Sequence, residues 1–371
     1  MDPDLSSCIQ YAVTDRLADQ TVGAAQWRFA GTLVGAAARF GIGVLLARLL
    51  PPVDFGIVAL ALVVTGLAQP LGDLGIASAV IQRRDLTPRH IRAAFSFSVA
   101  AGFLIAGVLV LAAPLVALLV RDVRVTPVLR LLSLGFAVQG FSVVAAGLLR
   151  RRLDFRRLFY IDTVSYVVGY GVAAVTLAVL GFGVWSLVWG SLVQTTLSSA
   201  WQIVAARHPL RPLAAGPELG ELLSYGVGAG ASSMANYLAV NADNFLVGRL
   251  LGATSVGLYA RAFNLMNLPY VYVASVLSGV LFPAFVQIQT DIPRLRRGYL
   301  TMTRLTAVIA GPSMVALAIA APFLVPTLYG PTWTGVVFPL QILCAAGYFR
   351  ALFHVGSIVA KSVGRVYRDL Q

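Results

Sequence analysis

Seven charged residues fall inside long apolar runs of this chain: Arg39, Asp73, Arg130, Asp162, Asp243, Arg261 and Arg350. A charge in that setting is costly in lipid and is kept where it faces a cavity or a partner. Arg39 lies mid-run in GAAARFGIGV, among small residues that suit close helix packing and a polar opening. Arg261 lies one to two turns into a later run, in YARAFN. Either each guanidinium is neutralised by an acid, or the two form a cationic cavity for an anionic substrate. Arginine suits diphosphate because its planar fork gives paired charge-assisted hydrogen bonds. The run NYLAVNADNF adds Asn236, Asn241, Asp243 and Asn244. Asn236 is seven residues from Asp243 and eight from Asn244, so these three share a helix face. A polar stripe there faces protein or water. It can bond neighbouring helices, or Asp243 can hold a cation or proton, or pair with Arg39 or Arg261. Asp73 follows Pro70 and Gly72 and is expected at a helix break. Arg48 and Arg249 close equivalent runs and are candidate gating positions. Arg130, Asp162 and Arg350 lie nearer run ends, where snorkelling or solvation accounts for them.

Catalysis finds little support. His90 and His208 sit in Arg-rich loops and His354 is alone in an apolar run. There is no HExxH, nucleophile elbow or phosphate-binding loop. Cys8 and Cys344 lie in unlike settings and imply neither a disulfide framework nor a metal site. No catalytic residue, metal ligand or cofactor is assigned, and the chain reads as a non-enzyme.

What must position these residues is a membrane bundle. The 371 residues are 58% hydrophobic and 12% charged, where a soluble domain carries about 25% charged residues. Ten runs are long enough to span about 30 Å of hydrocarbon: 28–50, 55–81, 92–120, 126–149, 158–180, 183–206, 221–248, 256–286, 298–327 and 334–360. Pro70, Pro269, Pro312 and Pro322 lie inside them, where membrane helices bend.

The runs repeat. LLARLLPPVDFGIVA (45–59) and LVGRLLGATSVGLYA (246–260) align at an offset of 201, sharing Arg48/Arg249 and Gly56/Gly257. Further on, Ala112-Ala113-Pro114 answers Ala320-Ala321-Pro322 at offset 208, and Arg150 answers Lys361 at 211. Two copies of one multi-helix unit are the signature of transporters with a central site. The expected organisation is a tail at 1–27, a six-helix lobe at 28–207, a linker at 208–220 and a four-helix second lobe at 221–371. By the 211 offset Gln371 corresponds to Tyr160, so at least two further helices are expected to complete the second copy.

The net charge of +13 does not call for nucleic acid. Arg83, Arg84, Arg89 and Arg92, then RRRLDFRR (150–157), then Arg207 and Arg211, occupy alternate loops, as do the basic residues around 294–304 and 361–368. The intervening loops hold only Arg48, Arg121, Arg124 and Arg249. The positive-inside rule makes the Arg-rich loops and the N-terminus cytoplasmic. Anionic lipid headgroups are the other partner such clusters suit.

These phrases resemble the polysaccharide flippases (Wzx-type exporters) of the multidrug/oligosaccharidyl-lipid/polysaccharide superfamily. The resemblance is carried by LLARLLPPVDFGIVALA, GDLGIASAVIQR (72–83), the stretch from Asn236 to Pro269, and VLFPAFVQIQTD (280–291), and runs from about Gln26 to Arg365. They look most like exopolysaccharide exporters of the colanic-acid type. The resemblance implies an all-α fold of two inverted-V-type lobes around a central cavity, in a bacterial inner membrane. It implies alternating-access export of an undecaprenyl-diphosphate-linked oligosaccharide, in a pathway with glycosyltransferases and a polysaccharide polymerase. Phosphates are expected near Arg39 and Arg261, with Asn236, Asp243 and Asn244 lining the cavity. A drug or cation antiporter of the same fold is the alternative, and a membrane-embedded polymerase is a third. A dominant acidic cavity would favour the former, and the Arg39/Arg261 pair argues against it; the short outer loops argue against the latter.

Overall fold

A computed structural model of the chain describes residues 35–73, 75–83, 85–207 and 217–363, with the backbone path alone for 73, 217–232, 239–240, 271–280 and 282–283. The expected tail, residues 208–216 of the linker and the side chain of Asp73 lie outside the described residues. Every regular element among the described residues is helical. In chain order they are α1 (35–49), α2 (Pro52–Asp73), α3 (Ile76–Gln82), α4 (Pro88–Val120), α5 (Val125–Gly140), α6 (Val143–Arg151) and α7 (Phe155–Tyr166). A π-helical stretch, Val167–Ala174, joins α7 to α8 (Val175–Val179). Then come α9 (Val184–Ala206), α10 (Pro217–Gln287), α11 (Ile292–Tyr329), a 3-10 turn (Pro331–Val336) and α12 (Val337–Ser362).

Five described helices are long and apolar enough to cross a membrane, or six if the bent pair α5–α6 is one span. α9 matches the expected run 183–206 in length, but it carries Gln194, Ser198 and Gln202 on one face. α10 is two helices joined at Gly252, whose φ of 82° and ψ of 173° lie where a side chain would strain the backbone. This break falls inside the repeated phrase, where the first copy has Pro51. Pro and Gly thus solve the same helix stop by opposite means.

The chain divides into two compact units: Met1–Leu50 with Ile57–Ala253, and Pro51–Gly56 with Thr254–Gln371. In the first, α3, α4 and α6 bury Ile76, Val80, Phe95 and Val144 together, and α6, α7 and α9 bury Leu149, Ile161 and Ala206. α4 and α5 approach through Gly102 and Gly140; a Cβ on Gly140 would lie 2.7 Å from the Ser98 carbonyl oxygen. Small residues let membrane helices pack backbone to backbone in this way. In the second unit, α10, α11 and α12 bury Leu281, Phe285, Leu295, Val355 and Ile358. A Cβ on Gly257 would strike the Pro52 carbonyl and lie 3.1 Å from the Gly56 nitrogen, so the repeat's glycine pair meets in this unit.

The basic loop RRRLDFRR has a structural task. Arg151 Nη1 donates to the carbonyls of Val80, at 2.8 Å, and Arg83, at the end of α3. Arg152 Nη1 donates to the Ala206 carbonyl at the end of α9, at 3.2 Å. A guanidinium at a helix C-terminus satisfies open carbonyls and complements the dipole. His90 also has a structural task. Its Nδ1 lies 2.6 Å from Thr87 Oγ1, in the capping box that starts α4.

The repeat reappears as a repair to the backbone. Pro114 in α4 removes the N–H that would bond the Val110 carbonyl four residues back. Arg130 Nε on α5 donates to that oxygen at 3.4 Å. In the second unit Pro322 frees the Ala318 carbonyl, and Gln341 Nε2 on α12 donates to it at 3.2 Å. Pro114 and Val110 correspond to Pro322 and Ala318 at offset 208, and Arg130 to Gln341 at 211. An open carbonyl in hydrocarbon must be satisfied internally, which gives Arg130 its reason to sit in an apolar run. Gln341→Leu is expected to lower stability by about 1–3 kcal/mol. In a Pro322→Ala background, where the backbone N–H returns, the same change should cost little. Thermal unfolding of the four chains in detergent measures this cycle, and additive effects would contradict it.

Candidate functional site

The first unit holds Arg39, Asn236, Asp243 and Asn244. α1 lies on α7; a Cβ on Gly35 would sit 3.6 Å from Thr163 Oγ1. This packing sets the exposed Arg39 guanidinium 5.4 Å from the ring centroid of Tyr166. Tyr166 in turn stacks on Tyr170, with centroids 5.0 Å apart. Asp162, one turn before Tyr166, lies within electrostatic reach of Arg39 and also feels Arg150. A residue assigned to a run end therefore belongs with the Arg39 cluster. The π-helical stretch begins directly after Tyr166. Such widened turns cost hydrogen-bond quality and are frequent at functional sites.

On the first arm of α10, residues 217–251, Asp243 Oδ1 accepts the Asn244 backbone N–H at 2.8 Å. Asn241 Nδ2 donates to the Tyr237 carbonyl at 3.0 Å, and Tyr237 Oη donates to the Leu62 carbonyl on α2 at 3.0 Å. Asn244 Oδ1 is buried with no hydrogen-bond partner among the described residues. A buried acceptor left open costs roughly 1–3 kcal/mol, so this oxygen is a place for a donor from a ligand or water. Asn236 is exposed on the same arm. Arg48, exposed, ends α1, and Arg249, half-buried, stands three residues before the Gly252 break.

Arg261 belongs to the second unit and sits in an aromatic cradle. Its guanidinium carbon lies 4.1 Å from the Phe55 centroid, 5.8 Å from Tyr329 and 5.9 Å from Trp333. Tyr329 and Trp333 are buried, and Phe55 meets Trp333 edge-on at 5.4 Å. Stacking uses the faces of a guanidinium, whereas phosphate binds its edge, so both can hold at once. The cradle is assembled from the start of α2, the end of α11 and the 3-10 turn.

Two further groups carry polar chemistry, and the setting of each emerges only in the fold. Arg350 of α12 lies 4.6 Å from the Tyr270 ring centroid and 5.6 Å from that of Phe263. Its Nη1 is 3.5 Å from Asn267 Oδ1. Tyr270 also meets His354 edge-on at 6.1 Å. This is a second guanidinium held on aromatic rings in the same unit. The other is a cavity of about 300 Å³ inside the first unit, lined by amides and hydroxyls from α2, α5 and α9. Gln194, Ser198 and Gln202, spaced four apart on α9, were the available signal for it. Among the described residues no group of His, Cys, Asp and Glu is placed to hold a metal ion.

The fold has counterparts elsewhere. The chain superposes on the lipid II flippase MurJ in an inward closed conformation with a TM-score of 0.74 and 13% identity, covering 91% of this chain and 76% of that one. It superposes on an inward-facing multidrug resistance transporter of the MATE family at 0.68 and 17%, covering 91% and 82%. At these identities the likeness is one of fold. The lipopolysaccharide biosynthesis protein WzxC of Escherichia coli (strain K12) is 26% identical over 92% of this chain and 70% of its own length. The succinoglycan biosynthesis transport protein ExoT of Rhizobium meliloti (strain 1021) is 31% identical over 78% of this chain. The chain spans 58% of that relative's length. The family described as polysaccharide biosynthesis protein matches residues 45–338, most of the sequence, and this chain belongs to that family.

Proposed function

We propose that this chain is a multi-pass transporter that carries a polyprenyl-diphosphate-linked oligosaccharide across a bacterial inner membrane by alternating access. Family membership and relatives named for lipopolysaccharide and succinoglycan biosynthesis support a glycan cargo. The observation that carries the reading is that each unit holds an arginine of an apolar run against aromatic rings, Arg39 on Tyr166 and Arg261 on Phe55. Stacking fixes the plane of a guanidinium and lowers the entropy lost when its edge takes a phosphate. Arg39 and Arg261 bind the diphosphate, Asn236, Asp243 and Asn244 line the path of the headgroup, and the polyprenyl tail stays in lipid. Arg48, Arg249 and Asp73 act where helices stop or bend. The positive loops keep the N-terminus cytoplasmic, where glycosyltransferases deliver the cargo, and a polymerase receives it on the far side. The chain moves its substrate unchanged and needs no cofactor. Reconstitution in proteoliposomes with a fluorescent diphosphate-linked oligosaccharide tests the proposal: the label should become accessible to an external quencher only with protein present. Transport of cationic drugs without movement of this lipid would favour the antiporter reading instead.

A further inference from the structure

The cavity in the first unit sits where that unit departs from its own repeat. α2 and α3 are separated at Gly75, whose φ is 69°, and α5 and α6 meet at a 50° bend. Their second-copy counterparts are the arm 253–287 of α10 and α12, which run through the equivalent positions as helix. The bundle does not need these breaks, and both border the cavity: Gly72 and Ala77 at one, Gln139 and Ser142 at the other. Discontinuous membrane helices with polar linings mark binding sites, because they open backbone and side-chain donors away from lipid.

The lining says what fits. Gln69, Gln139, Gln194 and Gln202 each offer a donor and an acceptor, and hydroxyls of Ser142, at the α5–α6 bend, and of Thr195, Ser198 and Ser199 on α9 line the cavity with them. The lining includes no carboxylate and one cation, Arg150, so a metal ion or organic cation finds no counter-charge. The groups are already fixed: Gln69 Nε2 donates to Gln139 Oε1 at 2.7 Å, Ser142 Oγ to Ser199 Oγ at 3.0 Å, and Gln202 Nε2 to Ser198 Oγ at 3.0 Å. Side-chain amides match sugar hydroxyls, each of which both donates and accepts. The volume of about 300 Å³ is at the lower end for small-molecule sites.

We propose that this cavity is a subsite for one acidic sugar unit, its hydroxyls on the glutamine amides and its carboxylate on Arg150. The subsite rests on the reading of the chain as a glycan transporter, and it lies wholly within the first unit. Arg150 stands in the last turn of α6, beside the loop assigned to the cytoplasmic face, the side from which a newly built repeat unit arrives. Its charge also acts on Asp162, in the cluster around Arg39, so occupancy here would reach that cluster through one side chain.

Calorimetric titration of the purified chain with glucuronate, glucose, acetate and inorganic phosphate tests this. Saturable glucuronate binding is expected, with glucose about tenfold weaker for want of the charged contact. Acetate and phosphate should not bind comparably. Arg150→Gln should remove the preference for glucuronate and keep glucose binding, while Gln194→Leu and, independently, Ser198→Ala should weaken both sugars. The Arg39→Ala/Arg261→Ala chain should still bind glucuronate, which separates this subsite from the diphosphate contacts. Flipping of the labelled lipid by a chain that binds neither sugar would overturn the subsite alone. Phosphate or acetate binding as tightly as glucuronate would reduce it to a simple anion site and overturn it too.

Discussion

An Arg39→Ala/Arg261→Ala chain is expected to reach the membrane, stay folded and lose export of the lipid-linked glycan. A hydrogen bond to a charged partner contributes roughly 1.5–3 kcal/mol, so each arginine accounts for about 10- to 100-fold in binding. The two losses need not add, since both guanidiniums would grip one ligand. Arg→Lys at either site should restore only part of the activity, because an ammonium keeps the charge and loses the planar fork. The contacts of Arg39 supply a control. If its main task is to neutralise Asp162, then Arg39→Ala should lower thermal stability, and Asp162→Asn in the same chain should restore both stability and export. If it binds phosphate, Asp162→Asn should leave the export defect in place. Expression level, thermal unfolding and complementation of exopolysaccharide export together decide between these outcomes. Full export by the double variant would rule out the cationic mechanism.

Trp333→Ala should produce the largest loss of stability of any single change in the second unit. The side chain is fully buried and touches both Phe55 and Tyr329. Truncating a buried tryptophan costs about 3–5 kcal/mol through lost contacts and the cavity left behind. The same change loosens the cradle that orients Arg261, so export should fall even under conditions where the protein remains folded. Trp333→Phe keeps a ring in the cradle and is expected to recover most of the stability. Phe55→Leu separates packing from stacking: it retains apolar bulk and removes the ring whose centroid lies 4.1 Å from the guanidinium. A cation–π contact is worth about 0.5–2 kcal/mol according to its exposure to water. Phe55→Leu should therefore lower transport more than it lowers the unfolding temperature. Unchanged transport in that variant would show that the aromatic setting of Arg261 is incidental.

Much of this molecule is legible from residue order. Runs such as Pro88–Val120 must be helical because a backbone in hydrocarbon has to bond within itself. The sequence repeat is legible because matching residues recur at slowly drifting offsets, 201, 208 and 211. Pairing Pro114 with Pro322 and Arg130 with Gln341 follows from counting alone. What the counting did not reveal is that each pair does one job, since Val110 and Arg130 come together only when α4 and α5 pack at a given rotation. The run 126–149 read as one span, whereas its backbone bends at Phe141–Ser142 between α5 and α6. Apolar composition measures whether a segment prefers lipid and is insensitive to a bend whose exposed groups face a polar cavity.

The chemistry of the site divides the same way. That Arg39 and Arg261 were unusual was a property of composition, a charge among apolar neighbours. That Arg39 meets Tyr166 within electrostatic reach of Asp162, and that Arg261 meets Phe55, Tyr329 and Trp333, was decided by folding. Arg350 and Asn267 lie 83 residues apart and gave no local sign of each other. Periodicity fixes which face of a helix a residue occupies. Which neighbour that face meets depends on the rotation and depth of a second helix, set by close contacts such as Gly102 on Gly140, and these exist only in the packed bundle.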